Sequence, residues 1–432
     1  MTTNRSLSGR MYEFWFRPIS AAGFGMMRCA FGFIAFVTMF LERENVQRFY
    51  GPEGILTREM TGSVLRSLWR FSLLDYVGVT GTWLLYAVLL TSLFCVTIGV
   101  GRKCMLGVSI VILYSFHEYG SITLDGGDTL LRLIGFILLV SPCYRTFTVA
   151  NLHRRLTLIQ STGKDQPTAE RTMPIWPYRL LLWQMILIYT ASSIEKWSGS
   201  MWREGSAVAA TLHLTDFTRL TPEMADALSF MSPIVGYFTV FSQLAWVILL
   251  LLGLISFFGV LTTEATNVFK RALLLCGIVL HGAIFILMDV GTFSLTVFAA
   301  YLGLLLDDDF HAIRERLNRR TSEPIIVLFD GRCGFCKKSV FTLSMLDWLH
   351  RIEFASYHDP DNRKRFAPNV SLDALNKEMH VRLGDDSYYK GFFAFRALTW
   401  HLPVLWLVAP LLYIPGISII GSAAYKYVAS HR

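Results

Sequence analysis

The sequence predicts a polytopic bundle of about eight α-helical membrane spans, followed by a small C-terminal α/β domain. Three observations predict it. The 432-residue chain is 53% hydrophobic and 14% aromatic, with a positive mean hydropathy, which is too apolar for an ordinary soluble enzyme. Its apolar residues gather into runs near the length that crosses a bilayer, separated by short basic clusters. Near residue 306 the texture changes, and a charged stretch, DDDFHAIRERLNRRTSEP, leads into short segments of strand and helix character.

The apolar runs lie at about residues 21–41, 83–101, 104–119, 129–143, 179–195, 233–259, 272–289 and 291–306. The third and fourth are short and the last two are nearly continuous, so seven or nine spans also fit. No small-residue cleavage site follows the first run, which therefore reads as a retained span and not a signal peptide. The formal net charge is +8, but the basic residues sit in clusters between runs and form no stripe on a soluble face. They set topology, the partner they imply is the lipid bilayer, and no nucleic acid is expected.

With the N-terminus inside, the cytoplasmic segments hold Arg5, Arg10 and Arg17, then Arg102 and Lys103, then Arg145, Arg154, Arg155, Lys164 and Arg171, then Lys270 and Arg271. The outer segments are less clean. One from 42 to 82 carries Arg43, Arg48, Arg58, Arg66 and Arg70 with several glutamates, as interfacial helices would, and another carries Lys196, Arg203 and Arg219. This balance places the N-terminus and the C-terminal domain in the cytoplasm, the membrane being a bacterial inner membrane. The stretch from Arg154 to Thr172 reads as a flexible cytosolic loop. The expected boundaries are a membrane domain over 1–310, a charged linker over 311–323 and a soluble domain over 324–432.

In that last domain Ile325–Phe329 reads as a buried strand, Cys336–Leu349 as a helix and Ile352–Ser356 as a second strand. A hairpin around LGDD joins Met379–Leu383 to Ser387–Lys390, and a helix follows over Phe393–Trp400. The run Leu402–Ile420 is apolar enough for a ninth span, but Pro403, Pro410, Pro415 and Gly416 divide it into short helices.

Of the seven cysteines, Cys29, Cys95, Cys104, Cys143 and Cys276 stand singly in or beside apolar runs as small hydrophobes. Only Cys333 and Cys336 are paired by spacing. A CxxC between a strand and a helix places its first cysteine on the orphan amides and positive dipole end of that helix, which favour a thiolate. Cys333 is therefore the expected low-pKa, exposed nucleophile and Cys336 the resolving thiol, with Arg332, Lys337 and Lys338 adding positive charge. A zinc site would need two more ligands, and His350, His358 and His380 lack ligand spacing, so no metal is expected. An idle core pair is the remaining alternative. A disulfide here would be transient in a reducing cytosol.

The segment FDGRCGFCKKSV resembles the DxxCxxC signature of the DCC family of thiol-disulfide oxidoreductase-like domains. The stretches EMHVRLGDDSYYKGFFAFRAL, HLP, APLLYIPG and YKYVASHR extend the resemblance over about residues 324–432. It implies a thioredoxin-like fold and maps the signature onto Asp330, Cys333 and Cys336. In one respect the chain departs from thioredoxins: no proline stands just before Met379, where a thioredoxin carries a cis-proline facing the thiols.

Ionisable groups inside spans are costly, so each is a candidate site. His117, Glu118, Asp125 and Asp128 surround the turn between the third and fourth runs; Glu195 and Lys196 end the fifth; Asp289 separates the last two; and His281 lies deeper in the seventh. One reading has them converge on an outward-facing cavity for an apolar small-molecule ligand. The other makes them interfacial residues plus a buried Lys–Asp pair. DGGDTLLRLIGFILLVSPC, WQMILIYTASSIEKWSGSMWREGSAV and LHGAIFILMDVGTFS resemble the HTTM family, the membrane module shared with the vitamin K-dependent gamma-carboxylase, over about residues 15–310. That resemblance implies a quinone as cofactor and Lys196 as a base. Asp128 falls near a histidine important in the carboxylase, and the carboxylase's large soluble domain is missing, so glutamate carboxylation is not expected.

Taken together, the expectation is a membrane protein whose cytosolic thiol pair exchanges electrons with a redox partner protein, coupled to a quinone or lipid in the bundle. The alternatives are a non-enzymatic carrier, receptor or assembly factor, and a carboxylase-like enzyme using Lys196 as base.

Overall fold

The computed structural model describes residues 6–57, 59–60, 70–121, 124–154, 172–258, 263–318, 325–347, 349, 351–384, 387–406 and 408–430. Arg5, Arg58, Arg66, Arg155, Lys164, Arg171 and His350 lie outside the described residues, as do most of the 154–172 loop, the end of the charged linker and the tip of the LGDD hairpin. The chain divides into two compact units, the first made of Met1–Leu152 and Pro167–Asp307, the second of His153–Gln166 and Asp308–Arg432.

The first unit is helical. Its main helices are α1 (Leu7–Phe16), α2 (Ala22–Leu41), α3 (Val79–Ile98), α4 (Arg102–Tyr119), α5 (Gly126–Val140), α6 (Trp176–Ser198), α7 (Ser232–Leu244), α8 (Trp246–Phe257), α9 (Thr263–Leu287) and α10 (Phe293–Gly303). Each of the eight apolar runs coincides with a helix, or with the pair α7 and α8. Among the described residues four helical stretches are long and apolar enough to cross a membrane: Ala22–Tyr50, Val79–Ile98, Ser232–Phe257 and Glu264–Leu287. A fifth candidate is broken, because Gly126–Val140 and Cys143–Arg154 meet at 71°. The other runs fall short for physical reasons. α4 begins with Arg102 and Lys103 and ends with His117 and Glu118, α6 carries Arg179, Glu195 and Lys196, and α10 has only 11 residues.

α2 lies at the centre of this unit, packed against α3, α5 and α10. Gly23 and Gly32 allow that approach, since a Cβ on Gly23 would sit 2.7 Å from the Leu302 carbonyl and one on Gly32 would meet the Thr97 amide at 2.8 Å. The outward faces remain apolar: Leu84, Leu187, Val279 and Ile286 are each about two-thirds exposed. Large aliphatic side chains left out of the core on several long helices fit a lipid-facing surface.

The second unit opens with α11 (Asp307–Asn318), so the first part of the expected linker is helical. It then holds β1 (Ile325–Phe329), α12 (Gly334–Leu346), β2 (Ile352–Ser356), α13 (Pro360–Phe366), α14 (Leu372–Lys377), β3 (His380–Arg382), β4 (Tyr388–Lys390), α15 (Gly391–His401) and α16 (Ile417–Ser430). The strands form one sheet in the order β2-β1-β3-β4, with β1 parallel to β2 and the other neighbours antiparallel. Central β1 is covered on both faces, which explains its unbroken apolar run. Ile325 and Val327 pack with Leu343, Val381, Ala394 and Leu398, while Ile326 and Leu328 pack on the other side with Ala355, Tyr357, Phe366 and Leu375. The segment after Leu402 is broken as its prolines require, into short 3-10 turns at Pro403–Leu405 and Ala409–Tyr413 before α16.

Candidate active site

The thiol turn is built where β1 ends and α12 begins. Cys333 is the N-cap of α12, and its Sγ accepts the Cys336 amide at 3.3 Å, so the sulfur lies on the orphan donors of the helix start. Asp330 ties the approach to this cap: its Oδ1 accepts the amides of Arg332 at 2.8 Å and Cys333 at 3.2 Å. The same oxygen is 2.8 Å from His358 Nε2, whose N–H donates to it. His358 reaches this point because parallel pairing of β1 and β2 brings the ends of both strands to one edge, where the Tyr357 amide donates to the Phe329 carbonyl at 3.2 Å.

These contacts set the charge states. Burial alone would push the Cys333 thiol up, but the backbone and side-chain hydrogen bonds from Cys336 and the Phe335 amide outweigh it and hold the thiol below its ordinary value. Asp330 behaves alike. Burial raises it, while the Arg332 amide, the His358 ring and the Cys333 amide together bring its carboxyl below the usual range. Both anions are thus favoured by backbone donors, and Arg332, Lys337 and Lys338 are exposed side chains. Cys333 and Cys336 are not bonded to one another. Residues 327–432 match the DCC1-like thiol-disulfide oxidoreductase family. No curated protein and no solved structure matches the chain.

The DCC1-like domain carries a feature that its strand and helix pattern did not disclose. A cavity of about 520 Å³ runs from the thiol turn, at Asp330, Phe335 and Cys336, between α12 and α16. Glu378, two residues before β3, lines it as well. Among the described residues no group of three or more His, Cys, Asp or Glu side chains is arranged to hold a metal. His358 is engaged with Asp330, and His380 Nδ1 lies 2.9 Å from the Glu378 carbonyl.

In the helical unit the polar candidates make several distinct pairings in neighbouring places: the His281 ring lies 5.2 Å from that of Phe293, and a Cβ on Gly291 would sit 2.6 Å from the Asp125 carboxylate. Asp125 and Asp128 form a reciprocal capping box on α5, with Asp128 3.8 Å from His117 Nε2. Glu118 is buried against Arg132 at 2.6 Å and Arg70 at 3.6 Å. Asp289 pairs with Arg219 at 3.4 Å. His281 Nε2 lies 3.0 Å from the Tyr189 hydroxyl, which also meets the Tyr301 hydroxyl. Lys196 donates to Ser192 on its own helix and lies 5.5 Å from the Trp202 ring, and Glu195 is exposed. Among the described residues no carboxylate is paired with Lys196, and Asp289 pairs with Arg219 instead.

Sequence reasoning missed Arg28. It is fully buried in α2, donates to carbonyls of Val96 and Thr97 at the end of α3 and of Thr146 and Phe147, and lies 4.8 Å from the Tyr144 ring. An arginine seven residues into an apolar run was the available signal.

Proposed function

We propose that the protein is a membrane-anchored thiol-disulfide oxidoreductase whose DCC1-like domain works through Cys333 and Cys336. The observation that carries this reading is the Cys333 sulfur on the amides of α12, with the thiol held below its ordinary pKa. The sheet order, a parallel pair flanked by an antiparallel hairpin with the thiols at the β1–α12 junction, supports a thioredoxin-like fold. The helical unit serves as a multi-pass anchor of about eight spans in a bacterial inner membrane, with its N-terminus and the DCC1-like domain on the cytoplasmic side; the basic clusters support that orientation.

The exchange runs in two steps. The Cys333 thiolate attacks one sulfur of a partner protein's disulfide; a mixed disulfide forms, and the partner's second sulfur departs as a thiolate and takes a proton from solvent. Cys336 then loses its proton and attacks the Cys333 sulfur, expelling the partner's first sulfur as a thiol. The partner is reduced by two electrons and the pair becomes a Cys333–Cys336 disulfide. Two molecules of a low-molecular-weight thiol of the compartment reduce it again, leaving as their own disulfide.

Trapping in cells tests the reading. Cys336→Ser cannot complete the second step, so acid quenching should preserve an adduct of higher mass that disappears on reduction and is absent when Cys333 is also serine. The compartment of the trapped partner reports the side on which the domain works. Absence of any adduct would contradict the reading.

A further inference from the structure

We infer that the cavity beside Cys336 is a binding site for an uncharged, membrane-soluble molecule with a long hydrocarbon chain. The proposal names a ligand class for the thiol site and to that extent rests on the thiol-exchange reading; the binding itself does not need the thiols.

Four observations carry it. The volume, about 520 Å³, lies within the range of about 300–1,000 Å³ usual for small-molecule sites. The walls offer little to a polar guest. Leu328, Leu343, Leu346, Leu375 and Leu405 contribute hydrocarbon; of the hydroxyls on the wall, Ser339 donates to the Phe335 carbonyl and Thr342 to the Lys338 carbonyl within α12, Tyr425 accepts the Met379 amide, and Tyr357 adds a fourth. Asp330 and Glu378 are the charged residues on the wall, and two carboxylates in an apolar cleft disfavour an anionic guest.

The fourth observation is the mouth. Phe335, Phe395 and Val428 line the cavity and are also 48%, 40% and 43% exposed, so its interior continues onto the surface. Elsewhere in the same C-terminal segment, Ile419 and Ile420 on α16 and Leu411 and Ile414 before it are each half or more exposed. The same chain carries four helical stretches long and apolar enough to cross a membrane, among the described residues, so lipid-soluble molecules are the class of guest that its composition favours. A largely hydrocarbon wall suits the chain of a lipid-soluble molecule better than a peptide backbone, whose amides and carbonyls need partners.

The test uses the full-length protein in lipid nanodiscs and an uncharged long-chain alcohol carrying a mid-chain diazirine. After irradiation, labelled peptides are mapped by mass spectrometry. The expected labels fall on α12 around Ser339–Leu346 and on α16 around Ala424–Ala429. Ser339→Trp and Ala424→Trp, which fill the cavity from opposite walls, should each lower that labelling by about tenfold, the ratio given by about 1.4 kcal/mol of lost binding. Ala423→Trp, on the same helix but not on the cavity wall, should leave it unchanged. Cys333→Ser should also leave it unchanged, because binding does not need the thiol; labelling intact in an unsubstituted protein that fails to exchange disulfides would overturn the redox reading alone. No labelling of these segments in the unsubstituted protein, or labelling in both filled variants as strong as in the unsubstituted protein, would overturn the site and leave the surface to a protein partner.

Discussion

Replacing Cys333 by serine is expected to abolish disulfide exchange, lowering the rate with a small disulfide by at least about a thousandfold, because a serine hydroxyl is not ionised at neutral pH. Cys336→Ser should retain the first attack and stop at the mixed disulfide. The two variants thus separate nucleophile from resolving thiol with nearly isosteric changes. The pH dependence follows from the same geometry. The Cys333 thiol is held low by the amides at the start of α12, so its alkylation rate should reach half-maximum below the pH of an ordinary thiol, about 8.5. Because the folded thiol and the Asp330 carboxyl are both depressed, the stability they contribute is present above their unfolded pKa values and lost as pH falls through the folded ones. Stopped-flow alkylation across pH measures the first effect directly. A Cys333 profile identical to that of an unstructured thiol would remove the nucleophile assignment.

Arg28→Ala is expected to cost about 3 kcal/mol or more of stability in the helical unit, since it empties a fully buried site and removes the guanidinium donor from the carbonyls of Thr97, Thr146 and Phe147. The guanidinium bridges the C-terminal end of α3 to the Thr146–Phe147 segment, where its charge also complements the negative end of the helix. Left-handed Gly99 closes that helix end, its amide donating to Val96 and the Val100 amide to Cys95, so the arginine joins a terminus already turned sharply. Lysine at 28 offers one compact ammonium in place of a planar fork and should recover only part of the loss. Thermal unfolding in detergent, followed by helical circular dichroism, checks the order: native above Arg28→Lys above Arg28→Ala. An Arg28→Ala protein as stable as the native one would show that the carbonyls find other donors.

Much of the helical unit was legible because apolar runs are long and local: each run became a helix or a pair of helices. What hydropathy alone did not give was how many of them reach across a bilayer, since charged ends on α4 and α6 and the break after α5 are compatible with either a span or a buried segment. The strands and the thiol turn of the DCC1-like domain were readable for the same local reason. Its site was only half readable. Asp330, Cys333 and Cys336 lie within one turn, but His358 joins them through strand pairing, and the cavity wall is supplied by α16, far along the chain. In the helical unit, Asp125 and Asp128 form a capping box at the start of α5, a local role that their spacing already allowed beside the reading as cavity-lining residues.

The central claim is that Cys333 and Cys336 form a two-electron couple. The most direct measurement equilibrates the full-length protein with glutathione buffers of graded redox poise, quenches in acid, alkylates and counts free thiols by mass. The account predicts that both thiols of this pair disappear together over a narrow range of poise, returning on reduction, and that the transition is absent in either single serine variant. A pair that stays fully reduced in oxidised glutathione, or two cysteines that are modified independently of one another, would contradict it.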